Sequence, residues 1–202
     1  MKINEIVRRT VADAALSGKR RWPNMADVAF EARCSVSSAF KAIAHLTDIG
    51  AVRKFGSGGI SVVDPERVLM FFAANRDLTR DTVVTTTRSG AETVMGHAHT
   101  YALGGTDAAI HHLGEVNTVA DKGQRIVYVD LKTAIPPLPA GNEVRVVTMD
   151  AAAERSWTTG YTSLAQTYAD LFAQPGWQAS EFRRALWRKH FDVDDWSQRD
   201  QG

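Results

Sequence analysis

The stretch over residues 34–52 constrains the fold most, because it has the pattern of a helix that packs through one face only. Ser35 is a suitable N-cap, since its hydroxyl can accept a backbone N–H that the first helical turn leaves unpaired. Apolar residues recur at helical spacing at Ala39, Ala42, Ile43 and Leu46. Gly50 then suits the left-handed conformation with which many helices end. An ordinary amphipathic helix shares this pattern, so the neighbouring residues decide its meaning.

The residues before this stretch predict a helix-turn-helix. Asn24 can cap a short helix over residues 25–33, and Asp27 in its first turn complements the helix dipole. A tight turn around Cys34 leads into the longer helix. A short helix, a turn and a longer helix form the unit in which the second helix reads the major groove of DNA.

The residues after Gly50 change from helical to strand-like spacing. Residues 51–55 and 59–63 flank Gly56-Ser57-Gly58, which is the sequence form of a β-hairpin with a glycine-rich tip. A nucleotide-binding loop would need a strand, glycines and a lysine leading into a helix, and that order is missing. A hairpin directly after a reading helix is typical of a wing, so the sequence predicts a winged helix-turn-helix domain over residues 1–65.

Charge is distributed unevenly along the 202 residues, although the net charge is only +1. Residues 1–63 carry ten lysines and arginines against five acids, whereas the remainder carries fourteen against eighteen. A basic first third on a mildly acidic remainder indicates a nucleic-acid face joined to a part with another role. Scatter in surface charge is the alternative.

This hypothesis assigns specific roles on double-stranded operator DNA. The helix that begins after Ser35 enters the major groove, where the expected base contacts are Val36, Ser37, Ser38, Phe40 and Lys41. The expected phosphate contacts are Lys19, Arg20, Arg21, Ser35, Arg53, Lys54 and Ser57. Trp22 is expected to fill the small core. Because one winged helix reads one half-site weakly, we expect a monomer or weak dimer that binds an inverted repeat cooperatively.

The rest of the chain predicts a second unit. Residues 66–79 form a strongly apolar connector helix between the two halves, or alternatively a dimer seam. Residues 80–202 mix strands (81–88, 125–131, 143–149) with helices (91–99, 106–113, 162–172, and a last helix capped by Ser180). The predicted fold class is therefore α+β, an N-terminal winged helix-turn-helix followed by a mixed α/β C-terminal domain.

The sequence gives little support for a catalytic site or a metal-binding site. The histidines at 97, 99, 111 and 112 lack a nearby cysteine, and adjacent residues on a helix point about 100° apart. Cys34 lies in a turn without an evident base, and the pair Asp194 and Asp195 sits in a polar tail. We expect no enzyme, no metal and no cofactor.

Cellular context follows from similar arguments. The first ten residues do not resemble a signal peptide, and no apolar run reaches the roughly 20 residues of a membrane helix. The single cysteine excludes an internal disulfide and suits a reducing cytoplasm.

The last helix carries a cluster that suits a partner surface, namely Arg183, Arg184, Trp187 and Arg188. Tryptophan and arginine are the residue types that anchor interfaces most often. A solvated basic face above one core stripe is the alternative.

Four segments resemble the AbiEi family, which comprises antitoxins and autoregulators of type IV toxin–antitoxin pairs. They are residues 64–78 (DPERVLMFFAANRDL), 101–109 (YALGGTDAA), 127–130 (VYVD) and 163–171 (SLAQTYADL). The run Met70-Phe71-Phe72 departs from the more polar run expected there. The resemblance implies an N-terminal domain that binds the operator of its own operon. It also implies a C-terminal domain that opposes a nucleotidyltransferase-like toxin, directly or indirectly.

Two other functions remain open. A one-component repressor would bind a small effector in its C-terminal domain, which predicts a ligand-sized pocket. An enzyme fused to a DNA-binding module would need the catalytic residues that the sequence does not display.

Overall fold

The computed structural model describes residues 1–115, 121–130 and 132–191. The helices are α1 (Ile3–Leu16), α2 (Met25–Glu31), α3 (Val36–Asp48), α4 (Pro65–Ala74), α5 (Leu78–Asp81), α6 (Arg88–His97), α7 (Gly105–His112), α8 (Ala151–Ser156), α9 (Leu164–Ala173) and α10 (Trp177–His190). The strands are β1 (Arg21–Trp22), β2 (Val52–Lys54), β3 (Ile60–Val62), β4 (Thr82–Thr86), β5 (Tyr101–Gly104), β6 (Arg125–Val129) and β7 (Val144–Thr148). This mixture of helix and sheet agrees with the predicted α+β class.

The first 64 residues form three helices and a small antiparallel sheet of order β1-β3-β2. The predicted short helix is present but ends at Glu31 and not at Arg33, whose φ of 52° is not helical. The predicted helix that begins after Ser35 and the predicted hairpin are present, whereas strand β1 was not expected. Trp22, on β1, is 1% exposed and its indole N–H donates to Glu31 (3.1 Å), so its predicted place in the core is confirmed. α1 packs against α3 and thereby closes this core.

The predicted connector helix over 66–78 is wrong in its extent. α4 ends at Ala74, and a separate turn of helix, α5, begins at Leu78. The break arises because Arg76 turns its guanidinium into the interior, where its Nε donates to Asp170 Oδ1 (2.9 Å). Asp77 then caps α5 by accepting the backbone N–H of Arg80. The buried arginine therefore interrupts the helical pattern of apolar residues.

The second sheet has the order β4-β7-β6-β5, with β6 and β7 parallel and both outer pairs antiparallel. Ile126 and Tyr128 face a cluster that includes Trp157, whereas Val127 and Val129 face a cluster with helix α6. Burial on both faces explains why β6 is a continuous run of apolar residues. The four-residue strand β5 was not predicted, and residue 131 of the predicted strand 125–131 lies outside the described residues.

Helix α9 is deeply buried, with every residue from Ala165 to Leu171 buried. Ala165, Tyr168 and Ala169 join the apolar cluster of α1–α4, whereas Leu171 joins a cluster with α7 and α10. One hydrophobic core thus runs from the N-terminal helices into the C-terminal half. The division into 1–65, 66–79 and 80–202 stays a prediction.

The last helix begins earlier than expected. α10 starts at Trp177 with Gly176 as N-cap at a φ of 111°, so the prediction that Ser180 caps it is wrong. Gly176 takes a backbone conformation that other residues rarely adopt, which places the start of the helix one turn before the serine. Residues 192–202, including Asp194 and Asp195, lie outside the described residues. Within the described ranges no helix is long and apolar enough to cross a membrane.

Candidate nucleic-acid interface

Helix α3 presents a free outer face that carries four of the five predicted base contacts. Its N-cap, Ser35, accepts the backbone N–H of Ser38 (3.1 Å), and the four apolar positions named above are fully buried. Val36, Ser37, Phe40 and Lys41 are exposed. Ser38 is only half-exposed, and its hydroxyl lies 2.9 Å from the Ser35 hydroxyl. The helix therefore offers small, apolar and cationic groups to a partner.

Large apolar side chains at the surface distinguish this face. Val36 is 43% exposed and Phe40 is 44% exposed, although each lies one helical turn or less from the buried stripe. Phe55, at the start of the hairpin tip, is 41% exposed. Such side chains are costly to hydrate and suit contact with thymine methyl groups or base edges. His45 is also exposed on α3. It was not predicted to contact DNA, because nothing in the neighbouring sequence distinguishes it from an ordinary surface histidine.

The turn between α2 and α3 adds a cation that the sequence did not reveal. Arg33 has a φ of 52°, in the left-handed region. The N–H of Cys34 bonds to the carbonyl of Ala29 and that of Arg33 to Phe30, which is the Schellman pattern that usually ends on glycine. Arg33 is exposed, and its side chain meets no carboxylate among the described residues. Its position follows from backbone geometry, which spacing alone does not report.

The small sheet aligns two of the predicted phosphate contacts. Arg21 on β1 and Arg53 on β2 both pair with Ser61 on the central strand, so their side chains share one face. Two strand spacings separate them by about 10 Å. Both arginines are exposed. Lys54 is exposed on the opposite face of the same strand.

The other predicted phosphate contacts lie in different surroundings. Lys19 forms an ion pair with Glu31 and lies 5.2 Å from the centre of the Trp22 ring. Arg20 is largely buried, with 9% of its surface exposed. Ser57 is exposed at the hairpin tip, where Gly58 has a φ of 87°. Of the three basic residues in this loop, Arg21 is thus the one that is most available to a polyanion.

The cluster on α10 forms one wall of a cleft of about 560 Å³. Arg183, Arg184, Trp187 and Arg188 line it together with Met70 from α4 and Tyr168 from α9. The structure thus brings together all four residues of the predicted partner surface. Met70 and Tyr168 were missed because they are distant in sequence and belong to helices whose apolar residues indicated only core.

The histidines contact different partners, although the rings of His111 and His112 lie 5.5 Å apart. His97 lies 2.8 Å from the carbonyl of Thr93, His111 stacks on Tyr161 at 4.1 Å, and Nε2 of His112 lies 2.9 Å from the carbonyl of Thr162. Burial lowers the pKa of His112, which favours its neutral form. Within residues 1–115, 121–130 and 132–191, no three histidine, cysteine or carboxylate side chains converge as metal ligands.

The lone thiol has the surroundings of a packed side chain. Cys34 is half-buried, and burial raises the pKa of its thiol. A raised pKa keeps the thiol protonated and so lowers its nucleophilicity. Its side chain therefore contributes to packing of the turn.

None of the protein families, curated proteins or solved structures with which the chain was compared matches it.

Proposed function

We propose that this protein is a winged helix-turn-helix DNA-binding protein that represses its own operon and acts as the antitoxin of a type IV toxin–antitoxin pair. The single observation that carries the DNA-binding half is the free outer face of α3, flanked by a basic turn and a basic hairpin. The antitoxin half rests on the resemblance of the sequence to the AbiEi family.

The proposed mechanism divides base reading from phosphate binding. α3 enters the major groove, where Ser37 and Lys41 approach base edges and Phe40 approaches thymine methyls. Arg21 and Arg53 on one face of the small sheet, and Lys54 on the other, neutralise phosphates beside the groove, which supplies affinity without sequence preference. Ser35 caps α3 by accepting the backbone N–H of Ser38. The first turn of α3 directs its remaining backbone N–H groups at the DNA.

The packing of α3 against its neighbours supports the proposal that α3 is a rigid helix that reads DNA bases. α3 buries its inner stripe completely, and Arg67 of α4 donates to the carbonyl of Ile49 at the end of α3 (3.1 Å). A rigid helix loses little entropy when it binds, so more of the contact energy becomes affinity.

The DNA-binding half is tested by electrophoretic titration against the promoter of the protein's own operon at two salt concentrations. Lys54→Ala should weaken binding to all sequences alike and reduce the slope of log K against log salt by about one. Ser37→Ala should instead change the sequence preference. Lys132→Ala removes the same charge from an exposed position in the C-terminal half and should leave both quantities unchanged. If the protein retards the promoter DNA at neither salt concentration, the proposal is refuted.

The antitoxin half is tested by growth. Expression of a nucleotidyltransferase-like toxin encoded beside this protein should arrest growth, and co-expression of this chain should restore it. The operator-binding variant Lys54→Ala should still rescue growth when both genes are driven from foreign promoters. If the chain fails to rescue under those promoters, the antitoxin role is wrong while DNA binding stands.

A further inference from the structure

The open cleft between α4, α9 and α10 has the volume of a small-molecule site. Its volume of about 560 Å³ falls within the roughly 300–1,000 Å³ of typical ligand pockets. Its floor is apolar and aromatic, because Met70, Tyr168 and Trp187 line it. The rings of Tyr168 and Trp187 lie 5.9 Å apart and are tilted by 47°. Trp187 is half-buried, so the part of its indole that lines the cleft offers an aromatic surface to a flat ring.

The rim of the cleft carries an excess of positive charge. Arg184 is already paired with Glu181 at 2.6 Å. Arg183 and Arg188 contact no carboxylate within the described part of the chain. Among the described residues that line the cleft, Glu66 is the remaining acid, so within this set the two arginines leave one positive charge uncompensated. Guanidinium groups bind carboxylate, sulfonate and phosphate through paired N–H donors.

The hydroxyl of Tyr168 points to the same kind of ligand. Tyr168 is 2% exposed, yet it lines the cleft. Among the described residues its O–H has only the thioether sulfur of Met70 as acceptor, at 3.6 Å, while Arg183 donates to the oxygen at 3.4 Å. Sulfur is a weak acceptor, so a nearly buried donor lacks a strong partner. An anionic oxygen that lies beside Tyr168 and Arg183 could accept a hydrogen bond from both groups.

We propose that this cleft binds a small organic anion that carries a planar ring, with the ring against Trp187 and the anionic group between Arg183, Arg188 and the Tyr168 hydroxyl. Glu66, on the opposite edge, accepts a hydrogen bond from a donor on the ring. An isolated inorganic anion lacks the ring that the apolar floor accommodates, and a neutral ring leaves both arginines without an anionic partner. The site is independent of the DNA-binding face, so this proposal stands apart from the proposed function.

The matched probes are indole-3-acetate and indole-3-acetamide, which share a ring with an N–H donor and differ in charge. Titration of the full chain without DNA, followed by ligand-observed NMR and calorimetry, should give a Kd for the acetate below about 1 mM. The amide should bind at least tenfold more weakly, since it cannot form charge-assisted bonds with both arginines.

Variants of the full chain separate this cleft from nonspecific binding. Arg183→Gln and Arg188→Gln should each weaken acetate binding about fivefold to tenfold and leave amide binding unchanged. Tyr168→Phe should weaken acetate binding without changing the melting temperature by more than a few degrees. Arg88→Gln, at an exposed position on α6, is the control and should have no effect. Equal affinities for the two probes, no binding of the acetate at 5 mM, or equal loss in the Arg88 variant would each overturn the proposal.

Discussion

Arg33 occupies a backbone position that glycine normally fills, and it does so beside the proposed reading helix. A left-handed φ costs a residue with a Cβ about 1–2 kcal/mol, and this cost has to be met by the surrounding structure. Residues with strained backbone conformations are found most often at functional sites. Arg33 is exposed just before the start of α3, so its guanidinium can contact a DNA phosphate. A glycine has no side chain to make this contact.

Arg33→Gly should therefore separate stability from DNA binding. The free energy of unfolding should stay equal or rise by up to about 1 kcal/mol, because relief of the strain exceeds the added entropy of the unfolded chain. Operator affinity should fall, with a salt slope lower by about one. Arg33→Ala is the matched control, since it removes the charge but keeps the Cβ and should not gain stability. A loss of stability in the glycine variant would show that the turn is not strained.

Asp13 provides a second test at the level of one residue. Burial raises its pKa to about 6, although the backbone N–H of Ala165 donates to its Oδ1 at 3.2 Å and Arg9 lies nearby. A raised pKa means that the folded state holds the proton more tightly than the unfolded state does. Its contribution to stability is therefore present below about pH 4 and is lost as the pH rises through about 6.

Asp13→Asn removes this titration while keeping an oxygen acceptor for Ala165. The stability of the variant relative to the parent should increase by about 1–3 kcal/mol between pH 4 and pH 7, the lower figure allowing for a side chain that keeps some contact with water. Urea denaturation at several pH values measures this difference. A constant difference across that range would contradict the raised pKa.

At the level of elements, the sequence predicts the parts whose signal is local. The N-cap, apolar stripe and left-handed glycine of α3 are all present, with Gly50 at a φ of 73°. The end of α4 was mispredicted because a distant residue decides it, whereas the start of α10 depends on the φ of Gly176, which residue spacing does not report. Arg76 leaves the helix to reach Asp170, 94 positions away, and no local pattern encodes that contact. Strand β5 was missed since four residues are too short for a periodic signal.

The hairpin depends on one close approach between backbones. A Cβ at Gly59 would lie 2.5 Å from the carbonyl oxygen of Pro23 and 2.6 Å from that of Trp22. Gly59→Ala should destabilise the protein by about 1–3 kcal/mol, because β3 has to move away from β1. Gly56→Ala, in the same hairpin but facing open space, should be nearly neutral. Chemical denaturation measures the free energy of unfolding of both variants. Equal values would contradict the close approach at Gly59.

At the level of the whole molecule, the candidate interface was predictable in outline and its burial pattern was not. The exposed face of α3 follows from helical spacing alone. The burial of Arg20 and the pairing of Lys19 with Glu31 depend on how β1 packs, and β1 is too short to predict. The cleft on α10 joins three helices that are distant in sequence, so its arginines were identified without their aromatic floor.

The shared core predicts that residues 1–79 alone are less stable than the same residues in the full chain. That fragment lacks Ala165, Tyr168 and Ala169, which complete the cluster of α1 and α4. Loss of one large buried aromatic typically costs about 3–5 kcal/mol, a large part of the stability of a small domain. Circular dichroism during urea denaturation of both proteins measures the difference. Identical midpoints would show that the N-terminal part folds independently.

Burial of α9 has a consequence for the order of events during synthesis. A ribosome adds roughly 5–20 residues per second, so α9 emerges about 5–20 s after α4. During that interval the nascent chain exposes the apolar sides of α1 and α4, and α3 rests on an incomplete support. A message cut short before α9 therefore yields a less stable N-terminal part, and under the proposed function operator occupancy would favour chains whose translation has passed that helix.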